Sequence, residues 1–238
     1  MDLNGEGFKE GAKAVQEVAK ATGKGVDAGR ELGGFIARFV SGSLEQGMGI
    51  VEDKLAYMRW ERRQRLMVRA VTVQRELGLG DPDRAVPLKV AIPLFQGASL
   101  EDDDSLQDRW VNLLINAAYS ESSVEVERAY VEILSQLNPL EAQILDAIYT
   151  LPFDNTQYGG IFTSDLPHSA VAATGAGDDL PEPSEAVQVA LSNLHRIGCL
   201  RLGMSWGGGE YFRRITPTVL GRNFVRACRL RAEPPSNK

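Results

Sequence analysis

Cysteine and histidine are nearly missing from this chain of 238 residues: Cys199, Cys228, His168 and His195 are the whole supply. Two thiols set within apolar patterns read as reduced core residues of a cytoplasmic protein, ahead of a disulfide, a metal ligand pair or a nucleophile. Two histidines far apart in sequence weaken any histidine-based catalytic scheme. Long apolar runs are missing too, and none approaches the ~20 residues that cross a bilayer. The first residues carry acids and glycines but no compact apolar segment, so a secretory signal is not expected. Gly207-Gly208-Gly209 lacks the following lysine and hydroxyl residue of a phosphate loop. Nucleophile elbows, paired Cys-x-x-Cys motifs and zinc-binding helices are absent as well. The expectation is a protein that is not an enzyme, with no cofactor, no metal and no small-molecule substrate.

What is present is an ordinary soluble composition, 43% apolar and 24% charged, and enough length for one large or two small domains. Charge is unevenly spread. Residues 1–80 hold 13 basic and 11 acidic side chains, residues 81–183 hold 4 and 18, and residues 184–238 hold 9 and 3. An acidic middle beside a basic end signals either masking, within a chain or between subunits, or a plain domain boundary.

Residues 1–50 form a glycine-rich arm with 11 of the 24 glycines. Gly25, Gly29 and Gly33 recur every four residues and would make one smooth helical stripe, the pattern that lets helices approach closely. Phe35, Ile36, Phe39 and Val40 follow, interrupted by Arg38. Each glycine costs a helix about 1 kcal/mol relative to alanine, so the arm is either a frayed terminus or a segment ordered by a membrane surface or a second copy. Residues 51–137 read as a helical body. A helix from about 50 to 77 carries Arg59, Arg62, Arg65 and Arg69 on a basic face, for which residues 102–104 are the expected acidic partners. Three prolines make residues 81–98 mostly extended. A helix then starts at Ser99, with Asp102 completing a capping box; it buries Leu106, Trp110, Leu113, Leu114 and Ala117. Its four consecutive acids suit a helix N-terminus better than a metal site. Another helix spans 123–137, and Asn138-Pro139 opens the next.

Residues 138–232 read as a winged-helix-like module, with an inserted loop at 152–183 and a tail at 233–238. Ser184 caps a helix over 185–197, Gly198 ends it, and two strands follow around Trp206. Thr216-Pro217 opens a last helix expected to bury Leu220, Phe224 and Ala227. The fold class is therefore mainly α, a helical body with a winged-helix-like module containing a small antiparallel β-hairpin. Arg196, Arg201, Arg213, Arg214, Arg222, Arg226 and Arg229 are the candidate contacts to nucleic acid or a partner, and Trp206 is a candidate aromatic anchor.

Four stretches, Ile92-Pro93-Leu94-Phe95, residues 101–114, residues 130–142, and residues 193–198 with 216–225, together resemble the Abi-alpha (abortive infection alpha) family of bacterial phage-defence proteins. The resemblance implies antiviral defence that harms or arrests the infected cell. It transfers no catalytic residues. The leading expectation is a defence protein acting through protein or membrane contacts, with Gly25, Gly29, Gly33, Phe35, Ile36 and Phe39 as an effector segment. Such a protein would be cytoplasmic and would meet the membrane on activation, and a protein partner or homo-oligomer is expected. The alternative is a winged-helix DNA-binding regulator, against which stands the scarcity of basic side chains on the 185–197 helix. A third reading is a scaffold that only packs against partners.

Overall fold

A computed structural model of the chain describes residue 34, residues 38–39, and residues 60–122, 124–175, 180–204 and 207–230. Gly25, Gly29, Gly33, Phe35, Ile36, Arg59 and Trp206 lie outside the described residues. Among those described, the chain is mainly α with one small antiparallel sheet, as expected. In order it runs α1 (Trp60–Glu76), α2 (Leu88–Leu100), α3 (Asp104–Ala118), α4 (Arg128–Leu134), α5 (Pro139–Ile148), α6 (Phe153–Gly159), β1 (Ile161–Phe162), β2 (Val171–Ala172), α7 (Glu185–Arg196), β3 (Leu200–Met204), β4 (Glu210–Pro217) and α8 (Val219–Ala227).

The core is one continuous cluster built on α3. Trp110, Leu113 and Leu114 are buried at its centre, as are Leu66 and Ala70 of α1, Leu94 and Phe95 of α2, and Ile144 of α5. Arg69 of α1 donates to Asp104 (2.6 Å) and Asp108 (2.5 Å) on α3, and Arg65 sits 3.6 Å from Asp104. Two arginines of the expected basic face are thus paired with acids, through Asp104, which was among the expected partners, and Asp108, which was not. Arg84 closes the other end of α3, donating to the carbonyls of Ala117 (2.8 Å) and Asn116. A cation there also meets the negative end of the helix dipole.

Residues 88–98 are helical, not extended. Val90, Ala91, Leu94, Phe95 and Ala98 form an i, i+1, i+4, i+5 stripe that faces the core. Burying Leu94 and Phe95 contributes about 1.5–3 kcal/mol each, which outweighs the ~3 kcal/mol cost of Pro93 inside the helix. Because α2 runs through to Leu100, Ser99 is a buried member of it and donates to the Gln96 carbonyl (2.7 Å). The cap of α3 is Asp103, whose Oδ1 accepts from the backbone of Ser105 and Leu106 at 2.9 and 3.1 Å. The helix expected over 123–137 shrinks to α4. Its apolar Tyr130, Ile133, Leu134 and Leu137 are still buried.

The 152–183 stretch contributes more than a loop. It supplies α6, β1 and β2, and the sheet has four strands in the order β2-β1-β4-β3, all antiparallel. Thr163 locks this addition in place: it is fully buried, its hydroxyl donates to the Phe212 carbonyl (2.5 Å), and its amide donates to Arg213 (3.2 Å).

Candidate functional site

The C-terminal module is tied together from its first helix. Asn138 caps α5 by accepting from the Glu141 amide (2.9 Å), while Glu141 Oε2 accepts from the Asn138 amide (2.9 Å). Glu141 is itself buried, and its other oxygen accepts from Asn193 Nδ2 of α7 (2.8 Å). One carboxylate therefore satisfies a helix end and fixes the angle of the next helix.

The other end of α5 carries Tyr149. Its hydroxyl donates to the carbonyls of Cys199 (2.7 Å) and Thr218 (3.1 Å) as alternatives, and accepts from the Thr218 amide (3.1 Å). The Thr218 hydroxyl donates to the Gly198 carbonyl (2.6 Å) and accepts from the Gly221 amide (3.0 Å). Thr218, not Thr216, is the cap of α8, and Pro217 ends β4. Gly198 does end α7 with φ +79°, the region where a side chain would strain the backbone. Ser184 stands at the start of α7 but makes no side-chain cap bond; Gln188 Nε2 donates to the Pro183 carbonyl there instead (2.9 Å).

Burial around this junction raises the acid groups it holds. Loss of solvent pushes the Tyr149 hydroxyl and the Cys199 and Cys228 thiols up to about 12 each. In the unfolded chain a thiol titrates near 8.5. A folded pKa above the unfolded one gives stability that is complete below the unfolded value and shrinks as pH rises past it. We expect the urea midpoint to hold steady up to about pH 8.5 and to fall above it. We also expect both thiols to resist a disulfide reagent at neutral pH until denaturant is added. Rapid labelling of the native protein would contradict this reading.

Beside this junction opens a cleft of about 520 Å³ between α6, the end of α7, the sheet and the start of α8. Phe153, His195, Arg201, Thr216, Val219 and Leu220 are among its walls. His195 Nδ1 lies 3.3 Å from the Leu200 carbonyl, which orients the ring. Leu220, expected in the core, is partly exposed here. The buried face of α8 is instead Gly221, Phe224, Val225 and Ala227, because Gly221 lets the helix rest directly on the Cys199 carbonyl.

The seven candidate arginines do not form one patch. Arg214 donates to the carbonyl of Gly159 and, at 3.5 Å, to that of Gly175, holding the inserted stretch to β4. Arg222 stacks over the Phe153 ring at 4.4 Å. Arg229 pairs with Asp146 (3.0 Å), which also binds the buried Arg109. Arg213 lies 3.9 Å from Glu182, and Arg196 donates to Asn193 Oδ1 and, at 2.9 Å, to Gln136 Oε1. Arg201 and Arg226 are exposed on different elements. The sequence marks these residues as basic; it carries no signal that Phe153, a carboxylate or a distant carbonyl engages them. His195 and Val219, which are not among the candidate contact residues, line the cleft.

Of the effector candidates, Phe39 is described, and it is fully buried. Its carbonyl accepts from the Val86 amide (3.0 Å), and the neighbouring Arg38 lies 3.7 Å from Asp81. Among the described residues, no helix is long and apolar enough to cross a membrane, and no group of three or more His, Cys, Asp or Glu could hold a metal ion. Compared with protein families, residues 60–228 match the model of a family described as abortive infection alpha. No curated protein and no solved structure matches the chain.

Proposed function

The chain belongs to the abortive infection alpha family, and from that membership we propose that it defends bacteria against phage through protein or membrane contacts, without catalysing a reaction. In this reading residues 60–230 hold an N-terminal effector segment until infection releases it. The observation that carries it is the position of Phe39. A side chain that the sequence marks for membrane or self-association lies wholly in the core, with its carbonyl on Val86 and Arg38 beside Asp81. A segment docked this way has its most apolar described side chain hidden until the contact opens. The glycine stripe at Gly25, Gly29 and Gly33 would then become available to a membrane or to another copy.

Deleting residues 1–33 tests the role of the stripe while leaving Phe39 in its seat. We expect cells with the full chain to restrict phage plaques and cells with the shortened chain to lose that restriction, at equal protein level and equal melting temperature. Restriction that survives the deletion would remove the arm from the mechanism. A full chain that gives no restriction against a broad phage panel would remove the defence role itself.

A further inference from the structure

The cleft beside α8 combines apolar groups and a cation, Arg201, on one surface. Val219 and Leu220 keep 55% and 37% of their surface in solvent, and Arg201 and His195 stand exposed on the same rim. Such a surface suits a segment in which a large apolar side chain is followed by acids. The chain carries one elsewhere. Leu100 ends α2 with 69% of its surface exposed, and Glu101 and Asp102 follow in the turn before α3. That turn belongs to the stretch with 18 acidic and 4 basic residues, and most of the cleft belongs to the stretch with 9 basic and 3 acidic.

We propose that this cleft is an interface between copies of the chain, in which Leu100 of one copy packs on Val219 and Leu220 of the next and Glu101 and Asp102 face Arg201 and His195. The two surfaces differ, so every copy carries one of each. Association is therefore head-to-tail and builds a closed ring or an open filament. Opposite charge guides the approach, and the apolar contact removes three exposed side chains from water.

Sedimentation of the full chain at low and moderate salt tests this. We expect association at low salt that weakens as ionic strength rises, since exposed charges are screened over about 10 Å at 0.1 M. Arg201→Glu and Asp102→Arg should each give monomers that still unfold cooperatively, since both positions are exposed. An equimolar mixture of the two variants should associate again: one junction is wild-type in kind, and the other has its charges reversed as a pair. A chain lacking residues 1–33 should associate like the full chain, which separates this interface from the N-terminal arm. A wild-type monomer at low salt would leave the cleft to a different partner and overturn the proposal. Association that survives both substitutions, or a mixture that stays monomeric, would overturn it as well.

Discussion

Gly221→Ala is expected to lower the melting temperature by several degrees, although alanine is the better helix former. Two effects oppose each other. In a helix interior alanine is favoured over glycine by about 1 kcal/mol. Against that, a Cβ on residue 221 would sit 2.2 Å from the Cys199 carbonyl oxygen and 2.2 Å from the Tyr149 hydroxyl. Neither neighbour can move aside cheaply. The carbonyl is backbone at the entry to β3, and the hydroxyl is bonded to Cys199 and Thr218. Overpacking costs ~1–3 kcal/mol in a core that can adjust, and occasionally more; here the upper end applies. A net loss of ~2 kcal/mol in a chain of this size shifts melting by ~4–8 °C. Gly207→Ala is the control, because a Cβ at 207 meets nothing within 4 Å. A melting temperature for Gly221→Ala equal to or above that of the parent would show that α8 does not rest on β3 as described.

Gly97→Ala should be similarly damaging, and the damage should depend on Trp110. A Cβ at position 97 would lie 2.4 Å from Cη2 and 2.7 Å from Cζ2 of the indole. Among the described residues Trp110 is the largest fully buried side chain, and a close-packed core resists its rotation. The expected loss is ~2–3 kcal/mol by the same overpacking reasoning. Trp110→Phe removes the ring atoms that meet the new methyl, at the expense of a cavity. In the Trp110→Phe background, Gly97→Ala should therefore cost less than in the parent, with a coupling of ~1 kcal/mol or more between the two sites. Additive losses in the double variant would place the clash somewhere other than the indole. Urea unfolding of the four proteins measures the coupling directly.

Local signals in the sequence were read correctly where chemistry fixes the answer within a few residues. Asn138-Pro139 with Glu141 specifies a helix start almost alone, and the structure has the full capping box. Gly198 specifies a helix end, and its φ is positive. The apolar set of α3 follows from its period. Where tertiary packing decides, the sequence misled. Pro93 argues for extended chain until the buried stripe from Val90 to Ala98 is weighed against it. Ser99 and Asp103 are both credible caps, and the choice depends on whether α2 ends before or after residue 99. Thr216 and Thr218 differ only through the bonds that Thr218 makes to Gly198 and Gly221. β1 and β2 are two residues each; β1 pairs with β4, which is distant in sequence, and β2 is held through β1. The candidate site was legible as a set of arginines, but not as an arrangement. Their partners are carbonyls, a ring and carboxylates brought together by the fold.

The bonds from α3 to the end of α8 bear on how the protein is made. Asn116 Nδ2 donates to the carbonyls of Ala227 (2.8 Å) and Arg229 (2.9 Å), and Asn112 Nδ2 to that of Cys228 (3.0 Å). These links span 111–116 positions of the chain, and contacts of such long range slow folding. On the ribosome the helix at the centre of the core is synthesised long before the carbonyls that satisfy it. Until residues 227–229 leave the exit tunnel, Asn112 and Asn116 have to be solvated or borrowed by other groups. The protein therefore gains its final packing only once residues 227–229 have joined α3, and a chain that stops a dozen residues before 229 cannot close its own core.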